Sequence, residues 1–240
     1  DISNGSVTGA EALLRWGHRE RGPISPSRFI PLAEDIGLIS DLGEWSLKII
    51  GEQLYKINQE IDRPLNISIN ISQSQFNTRL VDFLKEMDKN NLIPLENLTL
   101  ELTENILLET SETNLRLINS LKSMGVLLSI DDFGTGFSSL SYLTKVPLDQ
   151  LKIDRSFVLN LFNEENSGNI ISAIIAMTSS LNLELVCEGV ENKLQCDFLG
   201  SKGAKLIQGY LFSEPVSGDK LSQMLKPGFY FDQLTLLKSH

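Results

Sequence analysis

The chain holds only two cysteines, Cys187 and Cys196, in 240 residues. That number excludes a disulfide-dense scaffold, and their spacing matches no zinc pattern, so a reducing compartment suits them. Basic residues are in deficit, 21 Lys and Arg against 31 Asp and Glu, for a formal charge of −10. A nucleic acid polymer held by diffuse positive charge is therefore excluded as a partner, whereas a small anion bridged by metal ions is not. No apolar run approaches the roughly 20 residues of a membrane span. Asp1 to Gly5 have neither the basic start nor the apolar stretch of a signal peptide, so a cytoplasmic location is expected, as a free protein or as the cytoplasmic part of a membrane-anchored parent. No low-complexity or Pro/Gly/Ser-rich linker divides the chain, so residues 1–240 read as one domain. What is present is ordinary for a folded protein: 41% hydrophobic and 22% charged residues.

A unit recurs along the sequence: a short apolar strand, a polar or acidic residue at its end, then an amphipathic stretch. Strands are predicted at residues 7–16, 65–71, 98–103, 126–131, 148–153, 183–188 and 206–210. Helices are predicted at 42–57, 74–90, 112–124, 170–181, 193–203 and 219–225. Strands alternating with helices of this length imply parallel strands joined by crossovers. About seven such units point to an α/β fold of the (β/α)8 type, with an open doubly wound sheet as the alternative.

Side chains alternate across a strand. Ile67, Ile69 and Ile71 share one face, opposite Asn66, Ser68 and Asn70. Leu98, Leu100 and Leu102 oppose Thr99, Glu101 and Thr103. Lys152 and Asp154 oppose Leu151 and Ile153, and Glu188 shares the face of Val186. The apolar faces are expected to pack on helices and the polar faces to point into the barrel. Barrel interiors are normally filled by Val, Ile and Leu, so polar faces on successive strands mark an active site.

The strand-end residues are Glu11, Asn70, Glu101, Asp131, Asp132, Lys152, Glu188 and Gln208, and parallel strands would open them all on one mouth. One lysine cannot balance the five carboxylates. Oxygen ligands without His or Cys favour Mg2+ or Mn2+, and a two-metal centre suits in-line attack on a phosphoester. Taken singly, blander readings win. Glu11 is a solvated strand end, Asp132 a turn residue, Lys152 a surface lysine, Glu104 a helix-start carboxylate, His18 solvated and Cys187 a small core residue. Taken together they lose, because one strand face supplies the set repeatedly.

Glu11-Ala12-Leu13-Leu14-Arg15-Trp16 resembles the signature of the EAL family, the cyclic di-GMP phosphodiesterases. The likeness continues through Phe29-Ile30-Pro31-Leu32-Ala33-Glu34, Asn70-Ile71-Ser72, Glu101-Leu102-Thr103-Glu104, Asp131-Asp132-Phe133-Gly134-Thr135-Gly136-Phe137-Ser138-Ser139-Leu140, Leu151-Lys152-Ile153-Asp154, Glu188-Gly189-Val190-Glu191 and Gln208-Gly209. The blocks stand in the family's order. The resemblance implies a modified TIM barrel whose first strand runs antiparallel. That strand carries a Tyr-Gln-Pro-Ile-like stretch ahead of the position of Asp1, so it is expected to be missing or truncated here.

The resemblance also implies metal-dependent hydrolysis of cyclic di-GMP to linear pGpG. By that likeness Glu11, Asn70, Glu101 and Asp131 hold one metal, Asp131 and Asp132 share the second, and Glu188 stands nearby as ligand or general base. Lys152 orients the attacking water. Arg15 contacts the substrate phosphate, and Asp154, Glu191 and Gln208 lie against substrate or behind the metal site. Glu104 anchors the loop after Asp132, which in the family couples the site to a dimer interface. Cyclic di-GMP, a homodimer, and upstream sensory or GGDEF domains in a parent protein are the implied partners. Two other readings remain open: a catalytically inactive cyclic di-GMP receptor, and a barrel hydrolase for another phosphoester. The segment Phe229-Tyr230-Phe231 is apolar enough to pack on the barrel or on a neighbour.

Overall fold

A computed structural model describes residues 1–61, 63–108, 111–134, 143–163 and 166–226. Seven parallel strands form the main sheet: β1 (Gly9–Ala12), β4 (Asn66–Ile71), β5 (Leu98–Thr103), β6 (Leu127–Phe133), β7 (Gln150–Ile153), β8 (Glu184–Cys187) and β9 (Leu206–Ile207). They pair in that order. The sheet curls, because Gln208 beside β9 donates its Nε2 to Glu11 Oε2 in β1 at 2.7 Å although the two strands are its opposite ends. The result is a modified TIM barrel open between β1 and β9. Among the described residues no antiparallel strand joins this sheet, as expected for a barrel whose first strand is missing or truncated.

The helices are α1 (Pro26–Asp35), α2 (Ile39–Asn58), α3 (Thr78–Lys89), α4 (Glu104–Leu108), α5 (Glu112–Ser123), α6 (Arg155–Leu159), α7 (Ser167–Ser180), α8 (Lys193–Ser201) and α9 (Gly218–Met224). Several starts carry their own caps. Asn77 accepts from the backbone N–H groups of Arg79 and Leu80, Ser111 from that of Asn114, and Asn192 with Gln195 forms a reciprocal capping box.

The leucine and isoleucine faces of the strands meet the helices. Leu98, Leu100, Leu102, Leu128, Ile130, Leu151 and Ile153 are wholly buried there. Truncating one such leucine to alanine costs about 2–5 kcal/mol. This layer makes the barrel rigid enough to hold a polar interior.

One predicted strand needs correction. Residues 7–16 do not form a single strand: β1 ends at Ala12, and Trp16 opens a separate antiparallel hairpin of β2 (Trp16–His18) and β3 (Gly22–Ile24). The Trp16 ring meets Phe29 of α1 edge-on, 5.8 Å between centroids, and so leaves the barrel wall for that side cluster. Helix α1 itself escapes the apolar pattern because Pro26 and Pro31 punctuate it.

Candidate active site

The interior face of the strands carries the polar cluster. Thr99 and Glu101 on β5, Ser129 on β6 and Lys152 on β7 are all buried. The Lys152 ammonium stands 2.7 Å from Glu101 Oε1, 3.4 Å from Glu11 Oε2 and 3.7 Å from Asp131 Oδ1, and it also contacts Glu188 Oε1. Four carboxylates from β1, β5, β6 and the end of β8 thus converge on one cation at the C-terminal mouth. Glu11 is fixed from both sides, since Asn70 Nδ2 donates to its Oε1 at 2.7 Å and Gln208 Nε2 to its Oε2.

Burial and the neighbouring acids, opposed by Lys152, push Glu188 up to about 8 and Glu101 up to about 7. For Lys152, burial favours the neutral amine, but Glu101, Glu188, Glu11 and Asp131 outweigh it and hold the ammonium charged. Cys187 is wholly buried behind the site; its thiol is pushed up to about 12 by burial and by Glu188, which makes it a core residue rather than a nucleophile.

The two adjacent aspartates reach the mouth through a backbone irregularity. The β6–β7 register shifts between Ile130 and Phe133, and Asp132 adopts φ of 53°. In a regular strand Asp131 and Asp132 would point to opposite faces. The bulge instead leaves Asp131 beside Lys152 and Asp132 beside Asp154. Burial and the Asp131 and Asp154 carboxylates push Asp132 up to about 6. Asp154 also caps α6 through the Ser156 N–H at 2.9 Å.

Other candidate residues stand apart from Lys152. Glu104, buried at the start of α4, accepts the Gly134 N–H at 3.1 Å on Oε1. Positions 135–142 of the motif lie outside the described residues, as do positions 227–240 with the Phe229-Tyr230-Phe231 segment. Arg15 is exposed and donates to the Leu14 carbonyl. Glu191 is exposed and pairs with Arg155 at 2.8 Å. The strand pattern did not single out Arg155 or Gln195, which fasten the turn after β8. The signal for Arg155 was an equal spacing, Lys152 to Arg155 and Glu188 to Glu191, and that for Gln195 was its place three residues after Asn192 in a capping-box pattern.

The donor set is all carboxylate and amide oxygen, which suits Mg2+ or Mn2+. Among the described residues no three of these side chains already meet as a metal cage; they lean on the Lys152 ammonium instead. Neither oxygen of the buried Glu101 accepts a well-aligned hydrogen bond, the Lys152 ammonium being close but poorly directed. A buried carboxylate left so, in a cluster with excess negative charge, fits added divalent cations.

A parallel barrel with an acidic strand-end cluster around a buried lysine defines the class: an α/β barrel whose polar site lies at the C-terminal ends of its strands. The chain belongs to the EAL domain family, whose model matches residues 1–215. It is 40% identical over 219 residues to the bifunctional diguanylate cyclase/cyclic di-GMP phosphodiesterase MucR of Pseudomonas aeruginosa, covering 91% of this chain and 32% of that protein. It is 38% identical over 239 residues to the cyclic di-GMP phosphodiesterase NbdA of the same organism, covering 99% of this chain and 30% of NbdA. The chain therefore spans about a third of the length of these relatives. Among solved structures, the MucR phosphodiesterase in complex with c-di-GMP superposes with a TM-score of 0.86 at 40% identity, covering 91% of this chain and 89% of that one. The EAL enzyme Bd1971 bound to cAMP and cyclic di-GMP superposes with a TM-score of 0.89 at 34% identity, covering 94% of this chain and 62% of that one.

Proposed function

We propose that this chain hydrolyses one phosphodiester bond of cyclic di-GMP, releasing linear pGpG, with Mg2+ or Mn2+ as cofactor. The observation that carries the reading is the convergence of Glu11, Glu101, Asp131 and Glu188 on Lys152 at one barrel mouth. The similarity to the MucR and NbdA phosphodiesterases supports the substrate.

Glu11, Asn70, Glu101, Asp131 and Asp132 would hold the cations, with Glu188 beside them. When bound, the cations polarise the phosphoester and acidify the attacking water. Lys152 directs that water through its ammonium N–H groups. Glu188 accepts its proton as the water oxygen bonds to phosphorus and the P–O3′ bond breaks, and the departing O3′ takes up a proton from solvent. Arg15 and Gln208 hold substrate, Asp154 lines its path, and Glu191 stands behind the site, paired with Arg155. A homodimer, a cytoplasmic setting and a longer parent with further signalling domains belong to the same proposal; the relatives' greater length supports the last.

The test is incubation with cyclic di-GMP and Mg2+ or Mn2+, followed by separation of the nucleotides. Linear pGpG is the expected product. Binding without product would make the chain a receptor, and cleavage of other phosphoesters in preference would overturn the substrate.

Glu104 gives a second prediction. Its hydrogen bond to the Gly134 N–H ties α4 to the end of β6, next to Asp131 and Asp132. Glu104→Ala should lower kcat roughly 10- to 100-fold, since small misplacements of a site are that costly. Metal affinity, read by titrating activity with Mn2+, should change little. An unchanged kcat would remove the anchoring role.

A further inference from the structure

We propose that Arg155 is a positioning residue that seats Glu188 against Lys152 from the solvent-exposed side of the turn after β8. The inference rests on the hydrolase reading above. Lys152 and Arg155 lie three residues apart on the chain leaving β7, and Glu188 and Glu191 three apart on the chain leaving β8. The structure pairs them in parallel. Lys152 contacts Glu188 in the buried cluster, and Arg155 Nη2 meets Glu191 Oε1 at 2.8 Å in contact with solvent.

Between the two pairs sits Gly189, with φ of +69°. The Arg155 stem lies flush on it: a Cβ at Gly189 would stand 2.2 Å from Arg155 Cγ and 2.8 Å from its Cβ. The Glu188 N–H also donates to the Ile153 carbonyl at 3.3 Å, so the residue after β8 is stitched directly to β7. A second tie closes the inner end of the turn. Buried Gln195 accepts the Glu191 and Asn192 N–H groups at 2.8 and 3.2 Å and donates to the Val158 carbonyl of α6 at 3.1 Å.

An exposed ion pair contributes little to global stability. Both side chains of the outer pair are substantially exposed, 52% for Arg155 and 39% for Glu191. Its effect is therefore on geometry. It closes the outer side of a left-handed turn whose first residue, Glu188, must meet Lys152 and the attacking water within a fraction of an ångström. The backbone bonds of Glu188 to Ile153 and of Val190 to Gln208, the latter at 3.1 Å, flank Gly189, and the Arg155 stem covers that flexible residue between them.

The experiment measures kcat, KM and melting temperature for the parent, Arg155→Ala, Arg155→Lys and the double variant Arg155→Ala/Glu191→Gln, with a crystal structure of Arg155→Ala. Arg155→Ala should lose about 10- to 100-fold in kcat, with KM within about twofold and the melting temperature near the parent's. Arg155→Lys should fall between, because its stem still covers Gly189 but lacks the planar fork. The double variant should be no worse than Arg155→Ala, since both changes break one clasp. In the crystal, the 188–191 turn should shift and Glu188 should leave Lys152. An unchanged kcat, a rise in KM alone, or losses that multiply in the double variant would overturn the role. Should the parent fail to hydrolyse cyclic di-GMP, the hydrolase reading falls, and the crystal structure by itself decides on Arg155: a turn superposing on the parent's overturns it.

Discussion

Glu188→Gln is expected to cut single-turnover hydrolysis of cyclic di-GMP by roughly 10²- to 10⁴-fold, the usual contribution of a general base. Equilibrium binding of the nucleotide should stay close to the parent's. Glu188 lies one residue past β8 and touches the buried Lys152 ammonium, so base and water-directing group are already in contact. Its carboxyl is pushed up to about 8 by burial and the neighbouring acids, with Lys152 opposing, which brings its proton affinity near working pH. Glutamine keeps the size and removes the acceptor. Turnover at the parent rate would exclude Glu188 from the chemistry. Equal losses of binding and turnover would make it a structural ligand instead.

Chelation should abolish hydrolysis altogether, and Mg2+ or Mn2+ should restore it. Ca2+ should restore it poorly, because its longer and looser coordination misplaces the reacting groups. The charge balance drives this expectation: four carboxylates face one ammonium in a buried mouth. The same groups set a pH dependence. Glu101 and Glu188 rise from 4.5 to about 7 and about 8, so the folded, cation-free protein binds more protons than the unfolded chain across that window. Its stability should therefore fall as pH rises from about 4.5 through 8. Divalent cations compete with those protons, so their affinity should climb over the same range. Melting temperatures with and without Mg2+ between pH 5.5 and 8.5 should diverge as pH increases. Full activity in excess chelator, or a gap that narrows with pH, would sink the two-metal proposal.

Much of this site was legible in the alternation of β4, β5 and β7. A strand whose leucines share one face must put Thr99 and Glu101 on the other, and parallel pairing must bring such faces to a common end. Glu101 and Lys152 buried inside, with Leu100, Leu151 and Ile153 buried outside, follow from that rule. Cys187 as core and most crossover helices were legible in the same way, from residue type and period. The hairpin of β2 and β3 was not, because nothing local to Leu13 and Leu14 says that the chain leaves the sheet there.

Local sequence thus determined the strand faces, the parallel order and the residue types available at the mouth, since each depends on neighbours two to four positions away. Only the tertiary structure decided three things. One is the bulge at Asp132, which puts adjacent aspartates on one rim although a period of two would separate them. Another is the meeting of Gln208 with Glu11, 197 residues apart, which requires the sheet to curl until its first and last strands face each other. The third is the clasp of Arg155 on Gly189 and Glu191, which depends on how the turns after β7 and β8 stack. The first is set by how β6 pairs with β7 and the other two by contacts between distant parts of the chain, so all three follow from packing of the whole barrel rather than from the preference of any segment.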